Sequence, residues 1–220
     1  IFIARLLGDS NYGAFVISLS VFFILGTLSS LGLGTGLARN YPRADSNRER
    51  RGFLVSPYPM SLVSSLVGAV LVFSFADILA TRVFDDPSIT PVVRVMALII
   101  PLQTLQTVSL GGLQAIRKPV AKAVITSVFQ PLVRIVLIIA LVLAGYGAVG
   151  VAGAYAVATG SAGILTLYIV YKNTNLFSFG IPTESVHRRL LTFSLPLVGS
   201  SVIMTLMNNI DTVLVGTFGI

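Results

Sequence analysis

The stretch VITSVFQPLVRIVLIIALVL at residues 124–143 decides the class of fold. Fourteen of these residues are Val, Ile, Leu or Phe; at roughly −0.3 to −0.6 kcal/mol each they favour insertion into a bilayer by about 6 kcal/mol. Arg134 near the middle costs about 2.5–3.5 kcal/mol on the same scale, so the helix inserts with about half its margin surrendered. A leucine would have been cheaper, and Arg134 therefore calls for a reason beyond insertion.

The surroundings repeat this pattern. The 220 residues are 55% hydrophobic and only 10% charged, against about a quarter charged in an ordinary soluble domain. Crossing the hydrocarbon takes roughly 20 apolar residues. Complete spans are expected at 12–38, 53–81, 91–115, 121–144, 149–171 and 190–216, with residues 1–8 as the tail of another apolar helix. The fold class is all-α, a polytopic transmembrane helix bundle.

Alternate loops differ in charge. One set carries Arg39, Arg43, Arg48, Arg50, Arg51, Arg117, Lys118, Lys122, Lys172, Arg188 and Arg189; the other carries Arg5 and Arg82 with Asp9, Asp85 and Asp86. Eleven basic residues against two place the first set in the cytoplasm. The net charge of +7 thus reads as bilayer orientation and not as a nucleic-acid surface. Tyr12, Tyr41, Tyr58, Tyr146 and Tyr171 fall near span ends, as interfacial aromatics do. Thr183 with Glu184, Asp86 with Pro87 and Thr90 with Pro91 read as helix starts.

Enzymatic chemistry finds no footing here. Cysteine is absent and His187 is the one histidine, which removes thiolate and His-rich metal sites. No nucleophile, base and orienting group assemble, so neither an enzyme, a cofactor nor a metal is expected. Loops are too short for a catalytic domain, which leaves function between the helices.

Ionisable residues inside spans are functional candidates, and Arg94, Arg134 and Asp211 stand out. Ser127, Gln130 and Arg134 follow i, i+3, i+7 and share a helix face. They suggest a wall of a polar cavity, with the guanidinium suited to phosphate and Gln130 as a neutral donor. The structural alternative is a buried ion pair with Asp211 or a bond to a helix carbonyl. Ser201, Thr205, Asn208 and Thr212 form a second polar stripe beside Asp211, a residue suited to ion coupling or to pairing with an arginine. Gln103, Gln106 and Thr107 add a weaker patch. Pro101, Pro131 and Pro196 are expected kink points. Gly32, Gly34 and Gly36 have no strand before them and read as close helix packing, as do Ser61, Ser65 and Gly68.

Two ends of the chain carry a resemblance. Arg5-Leu6-Leu7-Gly8-Asp9-Ser10-Asn11-Tyr12-Gly13, then Leu31-Gly32-Leu33-Gly34 running into Arg39, resembles the opening of polysaccharide-biosynthesis flippases of the multidrug/oligosaccharidyl-lipid/polysaccharide exporter superfamily. Phe193-Ser194-Leu195-Pro196-Leu197, Asn209-Ile210-Asp211 and Leu214-Val215-Gly216 are similar to that family's seventh helix. The resemblance implies two six-helix lobes around a cavity with alternating access. Residues 1–189 would then be the N-terminal lobe with helix one incomplete, and 190–220 the first helix of the C-terminal lobe. It further implies a plasma-membrane flippase for polyprenyl-(pyro)phosphate-linked oligosaccharide, with Arg134 holding the phosphate and Arg94 and Arg5 as second choices. Gln130 and Asn208 complete the expected binding set, and glycosyltransferases or a polymerase are the expected protein partners. An organic-cation exporter of the same superfamily and a non-transporting scaffold for glycan-assembly enzymes are the alternatives.

Overall fold

The computed structural model describes residues 22, 25–83, 87, 90–174, 186–194, 196, 198, 199, 203 and 207. Arg5, Asn208 and Asp211, together with Asp85, Asp86, Thr183 and most of the expected span 190–216, lie outside the described residues.

All regular structure among the described residues is helical: α1 (Leu33–Asn40), α2 (Asn47–Val55), α3 (Pro57–Ser74), α4 (Thr90–Ala115), α5 (Pro119–Val124), α6 (Gln130–Leu143) and α7 (Gly147–Lys172). Helices α2 and α3 run on as one segment, as do α5 and α6, so that four helices are long and apolar enough to cross a membrane: Asn47–Ser74, Thr90–Ala115, Pro119–Leu143 and Gly147–Lys172. These coincide with four expected spans. The first of them starts six residues earlier than its expected 53, which puts Arg48, Arg50 and Arg51 on helical turns and Tyr58 well inside the segment.

That earlier start has a local cause. The Ser46 hydroxyl accepts from the Glu49 N–H at 3.1 Å, while a Glu49 carboxylate oxygen accepts from the Asp45 N–H at 2.9 Å. This is a variant of the capping box, signalled in the sequence by Ser46 and Glu49 three apart. Glu49 also pairs with Arg189, which ties the segment 186–194 to α2. Ser46→Ala should cost about 1 kcal/mol. Glu49→Ala should cost more than Ser46→Ala, since it also leaves Arg189 without its carboxylate. Thermal unfolding of the full-length protein in detergent measures both.

The expected span 12–38 is not one helix. Residues 25–29 are helical, the chain turns at 30–32, and α1 begins at Leu33. Leu31 (φ 49°) and Gly32 (φ 64°) are both left-handed, and a side chain on Gly32 would come within 2.7 Å of the Ser194 carbonyl oxygen. The turn thus follows the docking of 186–194 against α1. At Thr90 the hydroxyl donates back to the Pro87 carbonyl (3.0 Å) and does not cap the helix that follows.

Helix α4 is the hub, packing on α1, α3 and α7, and α7 packs also on α6. The glycine run acts as expected. A Cβ on Gly34 would lie 2.6 Å from the Thr107 carbonyl oxygen, and one on Gly111 2.2 Å from that of Gly34. Ser61 and Ser65 are likewise buried under α3, and Gly68 faces Ser29. One apolar cluster, including Leu37, Phe53, Leu113 and Val170, fills the end bearing the basic loops. A second, including Met96, Ile99, Ile138 and Val151, fills the opposite end. The outer faces of α3 and α6 expose Leu62, Val63, Leu66, Val67, Leu132, Ile135 and Val136, an area a soluble protein would not tolerate and a hydrocarbon solvent requires. The chain is an all-helical membrane protein.

Candidate functional site

Between the two apolar clusters α4, α6, α7 and the segment Ile125–Phe129 leave a pocket of about 250 Å³, lined by Gln103, Gln106, Thr107, Leu110, Thr126, Gln130, Arg134, Tyr155 and Thr159. Polar side chains thus gather at mid-span, where they are most expensive.

Pro131 shapes one wall. It has no N–H for the Ser127 carbonyl, and its ring would clash there; residues Ile125–Phe129 widen into a π-turn in which the Gln130 N–H bonds the Ile125 carbonyl. Because π geometry needs more residues per turn, the face shifts. Ser127 is exposed, and Thr126 instead lines the pocket beside Gln130 and Arg134. The expected Ser127, Gln130, Arg134 face is corrected at its first member. Pro101, by contrast, sits within the unbroken helix α4.

Gln130 is also differently occupied than expected. The Gln106 amide donates to the Gln130 carbonyl oxygen at 2.8 Å, and the Gln130 amide is directed back to Gln106 and to Thr159 Oγ, each at 3.4 Å. The pair links α4, α6 and α7 and uses the donors that the sequence assigned to a ligand. Gln106→Leu should destabilise the bundle by about 0.6–2 kcal/mol, the range for interhelical polar contacts in membranes. Gln106→Leu with Gln130→Leu should cost less than the sum of the single changes, since neither leaves the other's amide unpaired. A double-mutant cycle of thermal unfolding tests this.

Arg134 lines this pocket. Its guanidinium lies over the Tyr155 ring, 4.1 Å from the centroid, and its Nε is buried with no hydrogen-bond partner among the described residues. The ring face offsets part of the desolvation of the cation, while the N–H donors stay available. Neither an ion pair nor a carbonyl bond to Arg134 occurs among the described residues, and Asp211 lies outside them. Gln103, read from the sequence only as part of a weaker patch, lines the pocket with its amide in no hydrogen bond among the described residues.

Arg94 is not brought to this pocket. It pairs with Asp77 at 2.9 Å where the end of the α3 region meets the start of α4, both side chains about half exposed or more, and it stacks near Phe73. Asp77 falls inside the expected span 53–81, and an acidic residue close to a span end opposite Arg94 is the signal in the sequence for this pair. The pocket lining holds Arg134 and, among the described residues, no carboxylate, and no group of three or more His, Cys, Asp or Glu among them could hold a metal.

No curated protein and no solved structure matches the chain. Residues 1–219 match the family described as polysaccharide biosynthesis protein. With spans, polar pocket and this match over nearly the full length, the chain belongs to the polysaccharide biosynthesis protein family.

Proposed function

We propose that the protein is a flippase of the plasma membrane that moves polyprenyl-(pyro)phosphate-linked oligosaccharide from the cytoplasmic to the outer leaflet by alternating access, for surface polysaccharide or glycoprotein synthesis. The observation that carries this reading is Arg134: a guanidinium at mid-span, stacked on Tyr155, with a buried donor that has no partner among the described residues. A phosphate would supply the missing acceptor in charge-assisted hydrogen bonds, which are about twice as strong as neutral ones. The volume of about 250 Å³ suits a phosphate and its immediate neighbours, so the glycan would extend outside this pocket and the isoprenoid tail would stay in lipid. No bond of the ligand is broken in this scheme. An organic-cation exporter would need acidic lining, whereas the lining described here is basic.

Reconstituted full-length protein tests the reading directly. Vesicles loaded with a polyprenyl-pyrophosphate-linked sugar in one leaflet should show protein-dependent appearance of the sugar in the other. Transport of organic cations with no lipid translocation would overturn the proposal in favour of the exporter.

A further inference from the structure

A second cavity lies away from the Arg134 pocket. It is a groove of about 620 Å³ between α3, α4 and α7, with Arg51 at one end, Val55, Tyr58, Ser61, Leu62 and Ser65 along one wall, and Pro101, Leu102, Leu105 and Leu167 opposite. Its walls are apolar even where the sequence is not. Ser61 Oγ donates to the Tyr58 carbonyl and Ser65 Oγ to the Leu62 carbonyl, each at 3.0 Å, so both hydroxyls are turned back into their own helix.

The mouth is cationic. Arg51 Nε is buried with no hydrogen-bond partner among the described residues. Its neighbours differ: Arg50 donates to the Ala44 carbonyl, Arg189 pairs with Glu49, and Arg39 stacks on Phe193. Arg51 belongs to the loop set that the charge asymmetry places in the cytoplasm. From Arg51 to Ser65 the groove follows fourteen residues, about 21 Å at 1.5 Å per residue. One leaflet contributes about 15 Å of hydrocarbon, so the groove runs from the cytoplasmic headgroup level to the bilayer midplane.

We propose that this groove binds an anionic glycerophospholipid of the cytoplasmic leaflet, with an acyl chain along α3 and the phosphate at Arg51. Length, apolar walls and a guanidinium with no carboxylate partner among the described residues, at the headgroup level, all match that one occupant. The proposal is independent of what the protein translocates.

The test uses full-length protein reconstituted in phosphatidylcholine bilayers containing phosphatidylglycerol, then extracted for native mass spectrometry of retained lipid. Wild type should retain one phosphatidylglycerol in preference to phosphatidylcholine. Arg51→Gln should lower that preference about tenfold while still retaining lipid, the loss of one charge-assisted hydrogen bond to the phosphate. Arg48→Gln, exposed on the same helix, should leave the preference unchanged. Leu105→Trp should fill the groove and reduce retention of both lipids; if that variant fails to fold, Arg51→Gln decides alone. Wild type with no preference, or Arg51→Gln with the wild-type preference, would overturn the proposal. Displacement of phosphatidylglycerol by equimolar polyprenyl phosphate would overturn it too, by giving the groove to an isoprenoid lipid.

Discussion

Arg134→Ala is expected to reduce translocation of a polyprenyl-linked glycan by about tenfold to a hundredfold, with Arg134→Lys retaining part of the activity. Removing one charged donor from a phosphate contact costs about 1.5–3 kcal/mol. The lysine keeps the charge but loses the planar fork and fits less well over the Tyr155 ring, 4.1 Å from the arginine in the wild type. The direction on stability is opposite. Arginine at mid-span costs about 2.5–3.5 kcal/mol of insertion energy, so Arg134→Ala should be at least as stable in the membrane as wild type. Complementation of a strain lacking its glycan flippase, at matched membrane levels, separates the two effects. Full activity in Arg134→Ala would make the residue structural and remove the anion-site assignment.

Gly111→Ala is expected to destabilise the bundle by about 1–3 kcal/mol or more, the cost of overpacking a close contact. The added Cβ would stand 2.2 Å from the Gly34 carbonyl oxygen, a backbone atom that cannot rotate away. Gly34→Ala meets the Thr107 carbonyl at 2.6 Å and should behave similarly. Gly153→Ala is the internal control: its nearest neighbour would be Leu141 Cδ1 at 3.9 Å, and alanine favours a helix by up to about 1 kcal/mol over glycine. Thermal unfolding in detergent should therefore fall for the first two and hold or rise for the third. Equal behaviour of all three would show that α1 and α4 are not held at backbone contact.

Insertion is a sum along the chain, and for that reason it could be read without any neighbour. Four long apolar helices stand where hydropathy puts them, and contacts such as Lys118 with Asn173 and Arg189 with Glu49 join the basic loops at one end. The close-packing role of Gly32, Gly34 and Gly36 was legible because glycines two apart inside an apolar stretch have few other uses. Arg134 was legible because a mid-span arginine is costly on any arrangement of the helices.

Partner choice was not legible, because it depends on how each helix is rotated and how deep it sits against the next. Gln106 meets Gln130 and Thr159 across three helices, which takes Gln130 out of the donors left unbonded among the described residues and leaves Gln103 one of them. The π-turn before Pro131 rotates Thr126 into the pocket and Ser127 out of it, a shift that a uniform 3.6-residue period misses. Arg94 is drawn to Asp77 by the antiparallel register of α3 and α4. Sequence by itself determined four apolar helices long enough to cross a membrane and the cost of Arg134, both of them properties of one helix in a solvent. Only the tertiary structure decided which polar groups among the described residues satisfy one another, since the packing of α3 and α7 on α4, and of α6 on α7, sets the register that pairs them.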